Sequence, residues 1–258
     1  MSDAASLDPE SRDLDAACQA LITAGQILEH QGQGDFTRGH VSIRVPGRPE
    51  HFIMKPHSVG LDEITRENIV TFDLDGVLVA GTARPHSERY IHSEILRARP
   101  DLNAVIHAHP THLIAFSSTG QEMRALSQGG AVFEGRLPMF TDTMDLIRSQ
   151  ETGRAVAMRL GPHNAVVMRG HGVAIAGEDV KEAVVLCLML EEAARIQLLA
   201  SASGLDAWSF PPEDVAALRD KLTRPDQFAI NFDYLARKAR KALGSPEVVR
   251  PVKNASGY

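Results

Sequence analysis

Apolar positions along the chain switch between helical and strand spacing. Leu14, Ala17, Cys18, Leu21, Ile22, Ile27 and Leu28 recur at three- and four-residue steps. They predict an amphipathic helix over 12–30 that ends near Gly32 and Gly34. Short alternating runs follow. In His40–Val45 the residues Val41, Ile43 and Val45 share one face, and Phe52–Met54 and Ile69–Leu74 read as further strands. Asp75-Gly76 is a hairpin-type turn leading into Val77–Val79. A helix is expected over 87–99, with Ser87 as its N-cap, Ile91, Ile95 and Leu96 on its apolar side, and Pro100 as its stop. A strand over 103–107 and a short helix after Pro110 come next.

The stretch 117–142 is Gly-rich and expected to be irregular, and 143–159 is expected to be helical. Ala165–Met168 and Val173–Ile175 predict strands on either side of a Gly-His-Gly turn. Residues 178–202 carry Val184, Leu186, Leu188, Met189 and Leu190, an apolar surface too wide for one seam, so a central buried helix is expected. Two more helical stretches run from Pro211-Pro212 to about 243. With no internal repeat and no clear linker, the chain reads as one α/β domain over 11–243, with a flexible start over 1–10 and a tail over 244–258. Its core is a mixed sheet covered by helices.

Composition narrows the class. The 258 residues are 43% apolar and 23% charged, as in an ordinary globular protein. A net charge of −6 argues against nucleic-acid and membrane-surface partners. No apolar run approaches the ~20 residues of a membrane span. Cys18 and Cys187 stand far apart in apolar helical patterns and read as buried reduced thiols, and the N-terminus lacks a signal-like segment, so a cytoplasmic location is expected.

Candidate chemistry lies in three places. His107 and His109 are two residues apart behind the apolar Ala104-Val105-Ile106, so on a strand both imidazoles emerge on one side. His171 sits between Gly170 and Gly172, whose freedom lets the backbone carry an imidazole into a crowded centre. Glu88, in His86-Ser87-Glu88, is the carboxylate with a place beside them. Three imidazoles with an open position suit a divalent transition metal, and zinc, manganese, cobalt and iron are all compatible. The candidates for binding a small-molecule substrate are Arg38, His40, Lys55, His86 and Ser87, with arginine offering a forked donor pair for an anion and lysine a point charge. His92, one helical turn after Glu88, is either its orienting partner or a structural helix residue, and His57 is a candidate for lining the pocket.

Ser87-Glu88-(x)3-His92, Arg99-Pro100-Asp101-(x)5-His107-Ala108-His109 and Gly170-His171-Gly172 together resemble, in order and spacing, the class II aldolase/adducin family. The resemblance implies a three-layer α/β/α fold with a largely antiparallel sheet. It also implies a homotetramer with active sites at subunit interfaces, which makes Trp208, Phe210 and Tyr234 candidates for completing a neighbour's pocket. It implies a divalent metal, usually zinc, on His107, His109 and His171, with Glu88 as catalytic acid/base and a further ligand. The chain departs from the sugar-phosphate aldolases at Gly39-His40, His86-Ser87-Glu88 and Lys55-Pro56-His57-Ser58, where those members carry small phosphate-cradling residues. Phe36–Arg44 looks more like the branch that decarboxylates hydroxylated aromatic or pyridine dicarboxylates such as a dihydroxyphthalate. The implied function is a metal-dependent carbon–carbon lyase. An aldolase is the alternative, and a non-enzymatic adducin-like interaction module a remote one.

Overall fold

The computed structural model describes residues 9–244, which contain eight helices and eight strands. The expected flexible start and tail therefore fall, apart from Pro9, Glu10 and Gly244, outside the described residues. Helix α1 spans Pro9–His30 and starts earlier than its apolar repeat suggested. Strands β1 (His40–Val45), β2 (Arg48–Met54), β3 (Val70–Asp73) and β4 (Leu78–Ala80) follow. The turn between β3 and β4 is built by Asp73, whose carboxylate accepts the amides of Asp75 at 2.9 Å and Val77 at 2.8 Å.

Helix α2 covers Arg89–Ala98, β5 Ala104–Ala108 and α3 Thr111–Ser117. Ser87 does not cap α2: Glu88 holds the cap position and makes no side-chain cap bond, because its carboxylate is engaged elsewhere. The stretch expected to be irregular holds two short elements, α4 (Gln128–Phe133) and β6 (Met139–Phe140). Each is too short to show a period, and α4 is set by Ser127, whose hydroxyl accepts the Gly130 amide.

The helix expected over 143–159 is α5, Gln150–Leu160. Ser149 caps it by accepting the Thr152 amide, and the preceding residues stay in a loop whose Ile147 amide bonds Glu88. Strands β7 (Ala165–Met168) and β8 (Gly172–Gly177) lead to α6 (Val180–Ala202), capped by Asp179, and then to α7 (Pro212–Leu222) and α8 (Pro225–Ala242).

The strands form one sheet in the order β4-β3-β2-β1-β5-β8-β7-β6. Every neighbouring pair is antiparallel except β6 and β7. Helices α1, α3, α6 and α8 cover one face, over Val41, Ile43, Ile106 and Val173. On the other face α2 and α5 pack over Phe52, Phe72, Val105 and Ala174. The fold is a three-layer α/β/α arrangement about a mixed, largely antiparallel sheet. Helix α6 is the buried helix its wide apolar surface predicts, with Val184, Leu186 and Leu190 inside. None of the described helices is long and apolar enough to cross a membrane.

Strand β1 departs from its apparent pattern. Alternating apolar and polar residues usually mark a half-exposed strand, yet all six of its residues are buried. Val41, Ile43 and Val45 enter the larger core, while His40, Ser42 and Arg44 lie under α2. Arg44 donates to the carbonyls of Leu96 at 2.8 Å and Leu102 at 3.0 Å, and also to Pro49, so it ties the end of α2 to the sheet. Replacing Arg44 with Met strands those carbonyls away from water and should lower unfolding stability by about 2–4 kcal/mol. Urea denaturation checks this, and a midpoint unchanged from wild type would show that solvent reaches the carbonyls.

Candidate active site

Strand β5 delivers His107 on the α2 face, level with His40 of β1, and His109 follows one residue beyond the strand end. His171 arrives from the turn between β7 and β8. Gly170 there has φ +68°, a conformation L side chains rarely adopt. At Gly172 a Cβ would stand 2.4 Å from the Ala108 carbonyl oxygen and 2.8 Å from His109 Cδ2, so only glycine lets β8 pass this close. Ring centroids are 4.6 Å apart for His107 and His109, 5.0 Å for His107 and His171, and 5.4 Å for His109 and His171. One nitrogen of each ring lies within 4.8 Å of the others.

The donor set fits a divalent metal. His107 Nδ1 is 3.0 Å from the Val173 carbonyl, which can only accept, so the ring proton sits on Nδ1 and Nε2 keeps its lone pair. His107 Nε2 and His171 Nε2 are buried with no hydrogen-bond partner. His109 Nδ1 also lacks a bonding geometry, although Asp35 Oδ2 stands 3.2 Å away. Burial drives the pKa of all three rings down, helped by the neighbouring histidines at His107 and His109, the latter to about 4. Neutral imidazoles are the ligating form.

Glu88 faces this group. Its Oε2 is 3.7 Å from His107 Nε2 and its Oε1 is 3.6 Å from His171 Nε2. The Ile147 amide donates to Oε1 at 3.0 Å and fixes the carboxylate in place. Burial raises the Glu88 pKa, partly offset by that amide and by Arg148.

Behind Glu88 lies a second group, in which one nitrogen each of His40 and His86 and a Glu88 oxygen approach within 4.8 Å. The Glu88 amide donates to His86 Nδ1 at 3.3 Å, which leaves the His86 proton on Nε2. Burial, together with nearby Lys55, pushes His86 down to about 3. His92 does not orient Glu88: its Nε2 is 2.6 Å from His40 Nδ1 and its Nδ1 is 2.6 Å from Ser42 Oγ.

A cleft of about 500 Å³ opens onto these groups. Arg38, His86, Ser87, Glu88, His109 and His171 all line it, and His57 joins them. Lys55 and His40 are fully buried and stand behind that wall. Lys55 Nζ donates to the Thr37 carbonyl at 2.8 Å and to the Val59 carbonyl, and burial lowers its pKa to about 8. His112 bonds Glu191, remote from the metal group, and Trp208, Phe210 and Tyr234 are not part of this cleft.

Sequence reasoning missed Asp35, Met144 and Leu146 in the wall and the Ile147 amide on Glu88. Asp35 had only its place just ahead of Phe36–Arg44 to mark it, and the other three sat inside an expected helix.

Residues 19–198 match the family model described as Class II Aldolase and Adducin N-terminal domain. The chain is 30% identical over 217 residues to a 3,4-dihydroxyphthalate decarboxylase of Arthrobacter keyseri, covering 79% of this chain and 86% of that one. To Decarboxylase NovR of Streptomyces niveus it is 30% identical over 191 residues, covering 73% and 68%. Among solved structures, L-fuculose 1-phosphate aldolase from Glaciozyma antarctica PI12 superposes with a TM-score of 0.81 at 22% identity, covering 94% of this chain and 95% of that one. The likeness spans most of the chain and includes both the H-x-H strand and the Gly-His-Gly turn, so the chain belongs to the class II aldolase and adducin family.

Proposed function

We propose that this protein is a divalent-metal-dependent lyase that decarboxylates a hydroxylated aromatic dicarboxylate. The observation that carries the reading is the convergence of three imidazoles, His107 buried and His109 and His171 partly so, beside a buried carboxyl group. His107, His109 and His171 would hold the metal, zinc first, with Glu88 within reach of it. When bound, the metal would supply Lewis acidity toward the negative charge left as CO2 departs.

The chain's own groups divide the remaining work. As the ring–carboxyl bond breaks, the electron pair stays on the ring carbon and takes a proton from the acid form of Glu88, which solvent then restores. A raised pKa suits Glu88 to that role. In the cleft wall, Arg38 offers a forked donor for a second carboxylate, and His86 Nε2–H and the Ser87 hydroxyl can donate to a substrate oxygen. His40 and Lys55 support the wall from behind. The relatives named decarboxylases support this branch.

A retro-aldol cleavage would use the same metal ligands and Glu88, and the superposition on a fuculose-phosphate aldolase keeps it as the second reading. An interaction module without catalysis has no use for an intact set of three imidazoles and a carboxylate. The proposal includes a cytoplasmic homotetramer whose neighbouring subunits complete each cleft. Met144, 67% exposed at the cleft, is the kind of surface a neighbour would cover.

His107→Ala, His109→Ala and His171→Ala should each purify folded with little bound metal, since each removes one ligand. Elemental analysis reads this, and unchanged metal content in two of the three variants would sink the ligand assignment. Glu88→Gln should retain most of the metal but turn over at least about 10²-fold more slowly, the lower end of what a placed acid contributes. A near-wild-type kcat would transfer the proton step to another group.

The reaction itself is tested by incubating metal-loaded protein with dihydroxyphthalates and, separately, with fuculose and ribulose phosphates. CO2 release without aldehyde is the expected result. Aldehyde from a sugar phosphate, with no CO2 from any hydroxy-aromatic acid, would replace this reading with the aldolase.

A further inference from the structure

The turn between α1 and β1 carries Asp35, whose Oδ2 lies 3.2 Å from His109 Nδ1. Two other groups hold this carboxylate's turn in place. Arg38 Nη2 grips the second oxygen, Asp35 Oδ1, at 2.6 Å, and the Arg38 amide bonds the Asp35 carbonyl at 3.0 Å. From just beyond β2, the buried Lys55 Nζ donates to Thr37 O, in the middle of the same turn, and to the Val59 carbonyl. A lysine buried this completely is costly unless its donors are engaged, and both of these acceptors are backbone carbonyls.

The chemistry at His109 follows from what a carboxylate can do. It accepts and never donates, so although the pair is not aligned as a hydrogen bond here, a carboxylate 3.2 Å away favours the tautomer with the ring proton on Nδ1 and the lone pair on Nε2. His107 shows the formed version of this arrangement, with its Nδ1 hydrogen-bonded to the Val173 carbonyl at 3.0 Å. A carboxylate in place of a carbonyl also makes the ligating nitrogen more basic.

We propose that Asp35 is a positioning residue for the metal centre, fixing His109 with its proton on Nδ1 and its Nε2 toward the cation, while Arg38 and Lys55 hold the Asp35 turn. This rests on the metal-centre reading above. It gives Lys55 a role at the site without contact with substrate.

The test uses the full-length protein, stripped of metal, with its fold checked by circular dichroism. Zinc affinity is measured by competition with a chromophoric chelator in the absence of substrate. Asp35→Ala should bind zinc about 10- to 100-fold more weakly, the usual effect of losing such a partner. Asp35→Asn keeps an acceptor oxygen and should recover part of the loss. Arg38→Ala and Lys55→Met should each weaken zinc binding in the wild-type chain and add nothing once Asp35 is alanine. If Lys55→Met does not fold, the Arg38→Ala arm decides the role of the turn.

Wild-type zinc affinity in Asp35→Ala, or no recovery in Asp35→Asn, would overturn the assignment of Asp35. Additive losses would detach Arg38 and Lys55 from it. A wild-type chain that takes up no zinc would instead overturn the metal-centre reading, and this inference with it.

Discussion

Imidazoles buried on the helix-covered face of a sheet are costly unless each ring stays neutral and keeps its polar atoms occupied. That constraint organises the centre of this molecule. His40, His92 and His107 are fully buried within a few ångströms of one another, so charge on any of them would be opposed both by burial and by its neighbours. The fold meets the requirement with partners that set where each proton sits. Val173 accepts from His107, Ser42 and His40 bracket His92, and the Glu88 amide faces His86. The nitrogens left over are the ones that converge beside Glu88.

How much of this was legible in the chain depended on the range of the interaction. The H-x-H strand could be read because strand geometry alone puts His107 and His109 on one side, and Gly170-His171-Gly172 because glycine announces an unusual backbone. Strand β1 was legible in position but not in environment. Its period-2 pattern describes two faces without saying that the second is covered by α2, so nothing in it marks Ser42 and Arg44 as buried. Lys55 misled for a similar reason. A lysine where sugar-phosphate aldolases carry a phosphate cradle suggests an anchor for a substrate carboxylate, whereas here the carbonyls of Thr37 and Val59 hold its ammonium group. Only the tertiary fold brings those acceptors to it.

The loop ahead of α5 shows local propensity yielding to the site. Residues 143–149 contain enough apolar positions to pass for the start of a helix. In the structure the Ile147 amide is directed to Glu88 Oε1, and the Ser149 hydroxyl takes the Thr152 amide in the first turn of α5. That bond to a buried carboxylate and the Ser149 cap together hold residues 143–149 outside the helix. They also give the loop a defined place, from which Met144 and Leu146 reach the cleft.

The reactive centre and the substrate wall thus draw on different parts of the fold. The imidazoles come from a strand, its extension and a tight turn, all braced by the sheet, so on the proposed reading substitutions there would act on metal binding as a whole. The wall comes from the turn before β1, the segment before α2 and the loop before α5, whose exposed side chains can change without moving the ligands. This division accounts for a family in which decarboxylases and aldolases share one fold. Glu88 and Asp35 belong to both, since each lines the cleft and stands beside one or more of the imidazoles. On the proposed reading, a change in the rim such as the loss of Arg38 would act through Asp35 on His109, so that substrate selection and cation binding would be coupled.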